Sequence, residues 1–141
     1  MTTIAYKDGV IAYDARETSD DIVLSDDVEK CIDRGGIKFL VMGASCDEEA
    51  LIDAYFQDLM TVKDLDASAW VVDGGRVHCF SVGDGRTFSY EMDLSNCYAA
   101  GSGGAFAYGA MDMGATAKQA VQMAAKRDVY TGGKIKTYKV K

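Results

Sequence analysis

Apolar and polar positions alternate from the start of the chain. Ile4, Tyr6, Val10, Ile11 and Tyr13 stand among small or polar partners, the period of strands. Lys7-Asp8-Gly9 interrupts them, and an Asp-Gly pair is a strong hairpin signal, so strands are expected over 2–6 and 9–14. Residues 15–25 are polar except for Ile22-Val23-Leu24, a short strand-like run. Val28, Lys30 and Ile32 then alternate toward a turn at Arg34-Gly35-Gly36. The run 37–42, apolar except for Lys38, has strand length and predicts a strand covered on both faces. Gly43-Ala44-Ser45-Cys46 breaks it.

From Asp47 the period changes. Ala50, Leu51, Ala54, Tyr55, Leu59 and Val62 recur at helical spacing, and Asp47-Glu48-Glu49 place acids in the first turn. A helix over 47–62 is expected, then a loop over 63–68. Strands over 69–72, 76–82 and 87–92 are divided by Asp73-Gly74-Gly75 and Gly83-Asp84-Gly85, both good turn sequences. A short strand over 96–100 precedes Gly101-Ser102-Gly103-Gly104. Helix-compatible residues follow over 105–113, Thr116 can N-cap a further helix to 126, and a last strand covers 134–140. Strands, helix, strands, two helices and a strand indicate an α+β layered domain, with two packed sheets and outer helices. At 141 residues one domain is expected.

Charge narrows the partners. A net charge of −7 argues against nucleic acid or an anionic membrane as the main one. No apolar run approaches the roughly 20 residues of a membrane span, and no signal-like start is present, so a cytoplasmic protein is expected. Cys31, Cys46, Cys79 and Cys97 are widely spaced and, with the single His78, make a poor zinc set. Reduced thiols are the simpler reading. One histidine leaves little room for a Ser-His-Asp scheme, and the Gly101 stretch lacks the Lys-Ser/Thr of a phosphate loop. No metal or cofactor is expected.

The remaining chemistry lies at the start. With Met1 removed, Thr2 would carry a free α-amine beside its own hydroxyl, a base and a nucleophile in one residue. Taken singly, the other candidates have plain alternatives. Asp14 can be a strand-end turn residue, Lys30 a solvated lysine, Ser102 a helix N-cap, and Asp128 and Thr131 parts of a cap and a turn.

Together these residues resemble a known family. Arg127-Asp128-Val129-Tyr130-Thr131-Gly132-Gly133, followed by a strand ending Tyr138-Lys139-Val140, resembles the end of a proteasome β-subunit. Gly101-Ser102-Gly103-Gly104 is similar to the glycine-serine-glycine turn of that family and of the bacterial HslV peptidases. Thr2-Thr3-Ile4, Ile11-Ala12-Tyr13-Asp14, and Lys30 sixteen residues beyond Asp14 match it too, in the family's order along nearly the whole chain.

The resemblance implies the N-terminal nucleophile hydrolase fold, a four-layer αββα sandwich, and a threonine peptidase acting on unfolded polypeptide. It further implies a self-assembled homo-oligomeric ring, fed by an ATP-dependent unfoldase. Thr2 would be the nucleophile, Lys30 the charge that lowers the amine's pKa, and Asp14 the partner of that lysine. Ser102, Asp128 and Thr131 would orient the amine and a water. Backbone N–H groups at Ser45 or Cys46 would form the oxyanion hole, where the family has a glycine. Val28, Ile32, Gly43 and Asp47 would line the substrate pocket. The chain departs from the family in being shorter after the first helix, where a second helix is missing or reduced. A non-catalytic scaffold subunit and a small-amide amidase of the same fold are the competing readings.

Overall fold

The computed structural model describes residues 1–57 and 64–140. Its contacts sort into two compact units, residues 1–30 with 93–141, and residues 31–92.

The first unit is built on a four-stranded sheet. β1 (Thr3–Lys7) and β2 (Val10–Tyr13) form the expected hairpin. Its turn, Asp8-Gly9, has both φ angles positive, at 51° and 80°. This is the geometry that suits the twist of two-residue hairpins. Two strands from far along the chain flank the pair, because neither edge of a buried hairpin can stay unpaired. In the numbering adopted here β10 (Tyr98–Gly101) joins β1, and β11 (Lys136–Lys139) joins β2, giving the order β10-β1-β2-β11.

Ala5 and Ala12 pair across the hairpin and face α2 (Gly104–Asp112) and α3 (Ala117–Arg127). They share a core with Ala107, Met111, Ala120 and Val121. Small residues on this face let the helices come close. Ile4, Tyr6, Ile11 and Tyr13 occupy the alternate positions and are buried as well. α3 starts as expected at Thr116, whose side chain accepts from Gln119 N–H while Gln119 returns a bond to Thr116 N–H.

Polar residues 17–25 hold an element that the pattern hides. β3 (Glu17–Ser19) pairs with β4 (Ile22–Ser25) in a separate two-stranded ribbon. Glu17-Thr18-Ser19 carries no apolar alternation, so only its partner was visible. Ile22, Val23 and Leu24 are exposed at 67%, 46% and 59%, so this apolar run joins no core among the described residues.

The second unit is an antiparallel meander. β5 (Cys31–Arg34), β6 (Ile37–Gly43), β7 (Ala67–Asp73), β8 (Arg76–Gly83) and β9 (Arg86–Glu91) pair strictly in chain order. The two-residue turns at Gly35-Gly36, Gly74-Gly75 and Asp84-Gly85 have the same positive-φ form. α1 (Glu48–Gln57) packs Leu51, Ile52 and Ala54 against Phe39, Val41, Val71, Phe80 and Val82. Phe39, Tyr55 and Phe80 meet edge to face, with Tyr55 5.2 Å from Phe39 and 5.3 Å from Phe80. Leu40, Trp70, Val72 and Val77, at the alternate positions, are also buried, as the apolar run at 39–42 implies.

Several expected boundaries move. β5 begins at Cys31 rather than near Val28, because Val28 N–H bonds Ala15 O and Lys30 turns to Asp14. β11 spans Lys136–Lys139 rather than 134–140, since Gly133 (φ 74°) lies against the Asp26 backbone and Val140 N–H bonds Gly9 O. The expected end of the first helix, with Leu59 and Val62, lies outside the described residues.

Candidate active site

The expected catalytic residues gather in the first unit, at the end of β1 where Thr2 enters it. Thr2 is buried. β1 pairs with β10 so that Thr3 faces Gly101, the residue before Ser102. Two glycines make that approach possible. Gly101 has φ of 90°, and a Cβ there would overlap the Thr2 carbonyl. A Cβ on Gly103 would fall within 2.8 Å of Thr3 Oγ1 and 2.9 Å of Thr131 Oγ1. Gly101 and Gly103 are therefore steric requirements of the site.

Asp14 directly follows β2 and is fully buried. Its Oδ1 accepts from Lys30 Nζ at 2.8 Å and from Thr3 N–H at 3.1 Å. Oδ2 accepts from Gly132 N–H at 3.1 Å and Arg16 N–H at 3.4 Å. A buried carboxylate is tolerable when its oxygens are filled in this way. The Lys30 side chain is only 7% exposed. Burial lowers its pKa, and Asp14 opposes the shift by charge and hydrogen bond. Lys30 Nζ also donates to Met1 O at 2.7 Å. The lysine therefore stands at the peptide bond joining Met1 to Thr2.

Across from this pair lies the loop after α3. Thr131 Oγ1 donates to Asp128 Oδ2 at 2.6 Å, and Tyr130 N–H donates to Asp128 Oδ1 at 3.2 Å. Burial alone would raise the Asp128 pKa. Ser102, Thr131 and the Tyr130 amide outweigh it and hold the carboxyl below its ordinary value. Ser102 Oγ is itself buried with no well-aligned hydrogen bond among the described residues, although it lies close enough to Asp128 to contribute to that shift. The amine of Met1 is also lowered, first by burial and then by the charge of Lys30.

Two residues of the site were not singled out from the sequence. Thr3 is fully buried, and its Oγ1 lies 2.7 Å from Thr131 Oγ1 and accepts from Gly103 N–H at 2.9 Å. The period-2 pattern held the signal, since Thr3 shares the helix-facing side of β1 with Ala5. Arg16 clasps Asp26 with two bonds, at 2.8 and 3.1 Å, and donates to Val129 O at 3.0 Å. Its guanidinium fills the space beside Gly132. Nothing in the local sequence announces it.

The oxyanion and pocket candidates are divided between the units. Val28 sits in the first, between β4 and β5. In the second, Ile32 pairs with Phe39 across β5 and β6, and Gly43 ends β6. Ser45, Cys46 and Asp47 form a 3-10 turn, where Asp47 Oδ2 accepts from Asp66 N–H at 2.8 Å. Ser45 and Cys46 are exposed and have no positive φ, so the residues that replace the family's glycine here cause no backbone strain. Gly43 does need its glycine: at φ of 104°, a side chain would strike the backbone of Asp66 and Ala67.

These elements define an α+β protein with the HslV- and proteasome-type fold of the N-terminal nucleophile hydrolases. Among solved structures the chain is similar to Thiobacillus denitrificans BPH, in a complex with epoxomicin, with a TM-score of 0.69 at 20% identity. That match covers 99% of this chain and 98% of the other. Eukaryotic HslV from Trypanosoma brucei matches with a TM-score of 0.68 at 18% identity, over 98% of each chain. No family model matches the sequence. No curated protein matches it either.

Proposed function

We propose that the chain is a threonine-type peptidase that hydrolyses unfolded polypeptides with Thr2 as nucleophile. The observation that carries this reading is the setting of Thr2: buried, its carbonyl packed against Gly101, and with the Lys30–Asp14 pair at the bond preceding it. A scaffold subunit gains nothing from a buried ion pair placed there.

The mechanism requires the Met1–Thr2 bond to be opened, which gives Thr2 a free α-amine. An α-amine has an ordinary pKa near ~8. The burial and the Lys30 charge that already lower the Met1 amine act in the same sense on an amine one residue further in. A deprotonated amine then takes the proton of Thr2 Oγ, directly or through a water, as Oγ attacks the substrate carbonyl carbon. The tetrahedral intermediate collapses to an ester on Thr2 Oγ, and the same proton leaves with the departing amine. Water attacks the ester and frees the acid. Ser102, Thr131 and Asp128 orient the amine and that water.

Ser45 and Cys46 open a helical turn, whose first N–H groups have no partner within it, and we assign the oxyanion to them. Ile32, Gly43 and Asp47 of the second unit and Val28 of the first are assigned to the substrate side chain. A homo-oligomeric ring, an ATP-dependent unfoldase and a cytoplasmic site of action belong to the same proposal. So does binding of epoxomicin, the ligand in the BPH structure.

Hydrolysis of a fluorogenic peptide by wild type and Thr2→Ala, with intact mass on both, is the test. Wild type that has lost one methionine should hydrolyse the peptide, and Thr2→Ala should be inert while folding normally. Wild-type activity in Thr2→Ala would overturn the mechanism.

A further inference from the structure

We propose that Thr3 is a positioning residue for Thr2, holding the Asp14–Lys30 side of the site and the Asp128 side in one fixed geometry. The inference rests on the peptidase reading and extends it to a residue which that mechanism does not use.

The protons available to these groups fix the direction of their contacts. Asp128 is held ionised at neutral pH, so both its oxygens only accept. Thr131 has one hydroxyl proton, and the 2.6 Å contact commits it to Asp128 Oδ2. At the 2.7 Å contact between the two threonines, Thr131 Oγ1 must therefore accept, and Thr3 Oγ1 must donate. Thr3 Oγ1 in turn accepts from Gly103 N–H at 2.9 Å. The chain runs one way, from Gly103 through Thr3 and Thr131 to Asp128, with every hydroxyl donating once.

The backbone of Thr3 is tied to the other half of the site. Its N–H belongs to the peptide bond leaving Thr2, and it donates to Asp14 Oδ1 at 3.1 Å, the oxygen that also receives Lys30. Thr3 O accepts from Asp14 N–H at 3.3 Å. A residue clamped through both backbone and side chain leaves Thr2 little freedom to swing. A β-branched side chain with one favoured χ1 is suited to hold such a hydroxyl. Were Thr3 only a packing residue on the helix-facing side of β1, Val would serve as well.

The test compares wild type, Thr3→Val and Thr3→Ser by kcat and KM on a fluorogenic peptide and by amide hydrogen exchange at Gly103. Thr3→Val keeps the shape and removes the hydroxyl. It should lower kcat by about 10- to 100-fold, the cost of a misplaced reacting group, and leave KM unchanged. Thr3→Ser should recover most of kcat. Gly103 should lose exchange protection in Thr3→Val and keep it in Thr3→Ser. A wild-type kcat in Thr3→Val overturns the proposal, and so does an equal loss in both variants, which would mark a purely structural role. If wild type is as inert as Thr2→Ala, the peptidase reading falls instead. The exchange arm then decides alone: protection lost in Thr3→Val and kept in Thr3→Ser supports the clamp, and protection kept in Thr3→Val overturns it.

Discussion

The two units solve the same problem, a sheet buried on both faces, by opposite means. The meander of β5 to β9 pairs each strand with its neighbour in sequence, makes three of its four connections by two-residue turns and fills its core with apolar side chains. The sheet around β1 draws its outer strands from residues 98–101 and 136–139 and buries Thr3, Asp14 and Thr131 at its end. Local signals suffice for the first. The second is specified by polar groups that must find one another across a hundred residues, and the candidate site lies among them.

Alanine at two glycines should expose the contrast most sharply. Gly101→Ala sets a Cβ on the Thr2 carbonyl at a positive φ, and should cost upward of about 4 kcal/mol and abolish activity. Gly35→Ala in the meander also has positive φ but open space around it, and should cost only about 1–2 kcal/mol. Urea denaturation of both variants measures the gap, and equal losses would erase the distinction.

The ion pairs come next. Asp14→Ala leaves Lys30 buried without its partner and should lower stability by about 3–5 kcal/mol. Glu49→Ala removes the exposed partner of Arg34 in the second unit and should leave the denaturation midpoint unmoved within error.

The smallest effect is one of pH. Asp128 in the first unit and Asp33 in the second are both held below the ordinary 3.8. A depressed carboxyl contributes stability that is complete above its unfolded pKa and is lost as pH falls through the folded value. Asp128→Asn should therefore flatten the acid limb of a melting-temperature profile. Asp33→Asn should do so less, because Lys38 and the Gly36 amide reach Asp33 in full solvent.

Legibility in the sequence follows the same division. Asp73-Gly74-Gly75 and Gly83-Asp84-Gly85 announce their turns, and the strands between them lie where alternation puts them. Thr116 and Gln119 announce α3. At the site, Thr2, Asp14, Lys30, Ser102, Asp128 and Thr131 were legible as a set through family resemblance, and all six lie in the first unit. Thr3 was hidden because a threonine in a strand is ordinary and its partners lie 100 and 128 residues away. Arg16 and the β3–β4 ribbon were hidden because polar residues carry no period when their partners come from another part of the chain.

The pairing of β2 with β11 also has a meaning in time. A chain leaving the ribosome has all five strands of the meander in hand by residue 91, each beside its neighbour in sequence. β2 waits for residues 136–139, and Asp128 and Thr131 are made only shortly before them. Contacts that close long loops form late, because the entropy of closure is spent before they reward it. On the peptidase reading proposed above, a partly synthesised chain carries the strands of the meander before the residues around Thr2 have been made, which would spare the nascent chains around it.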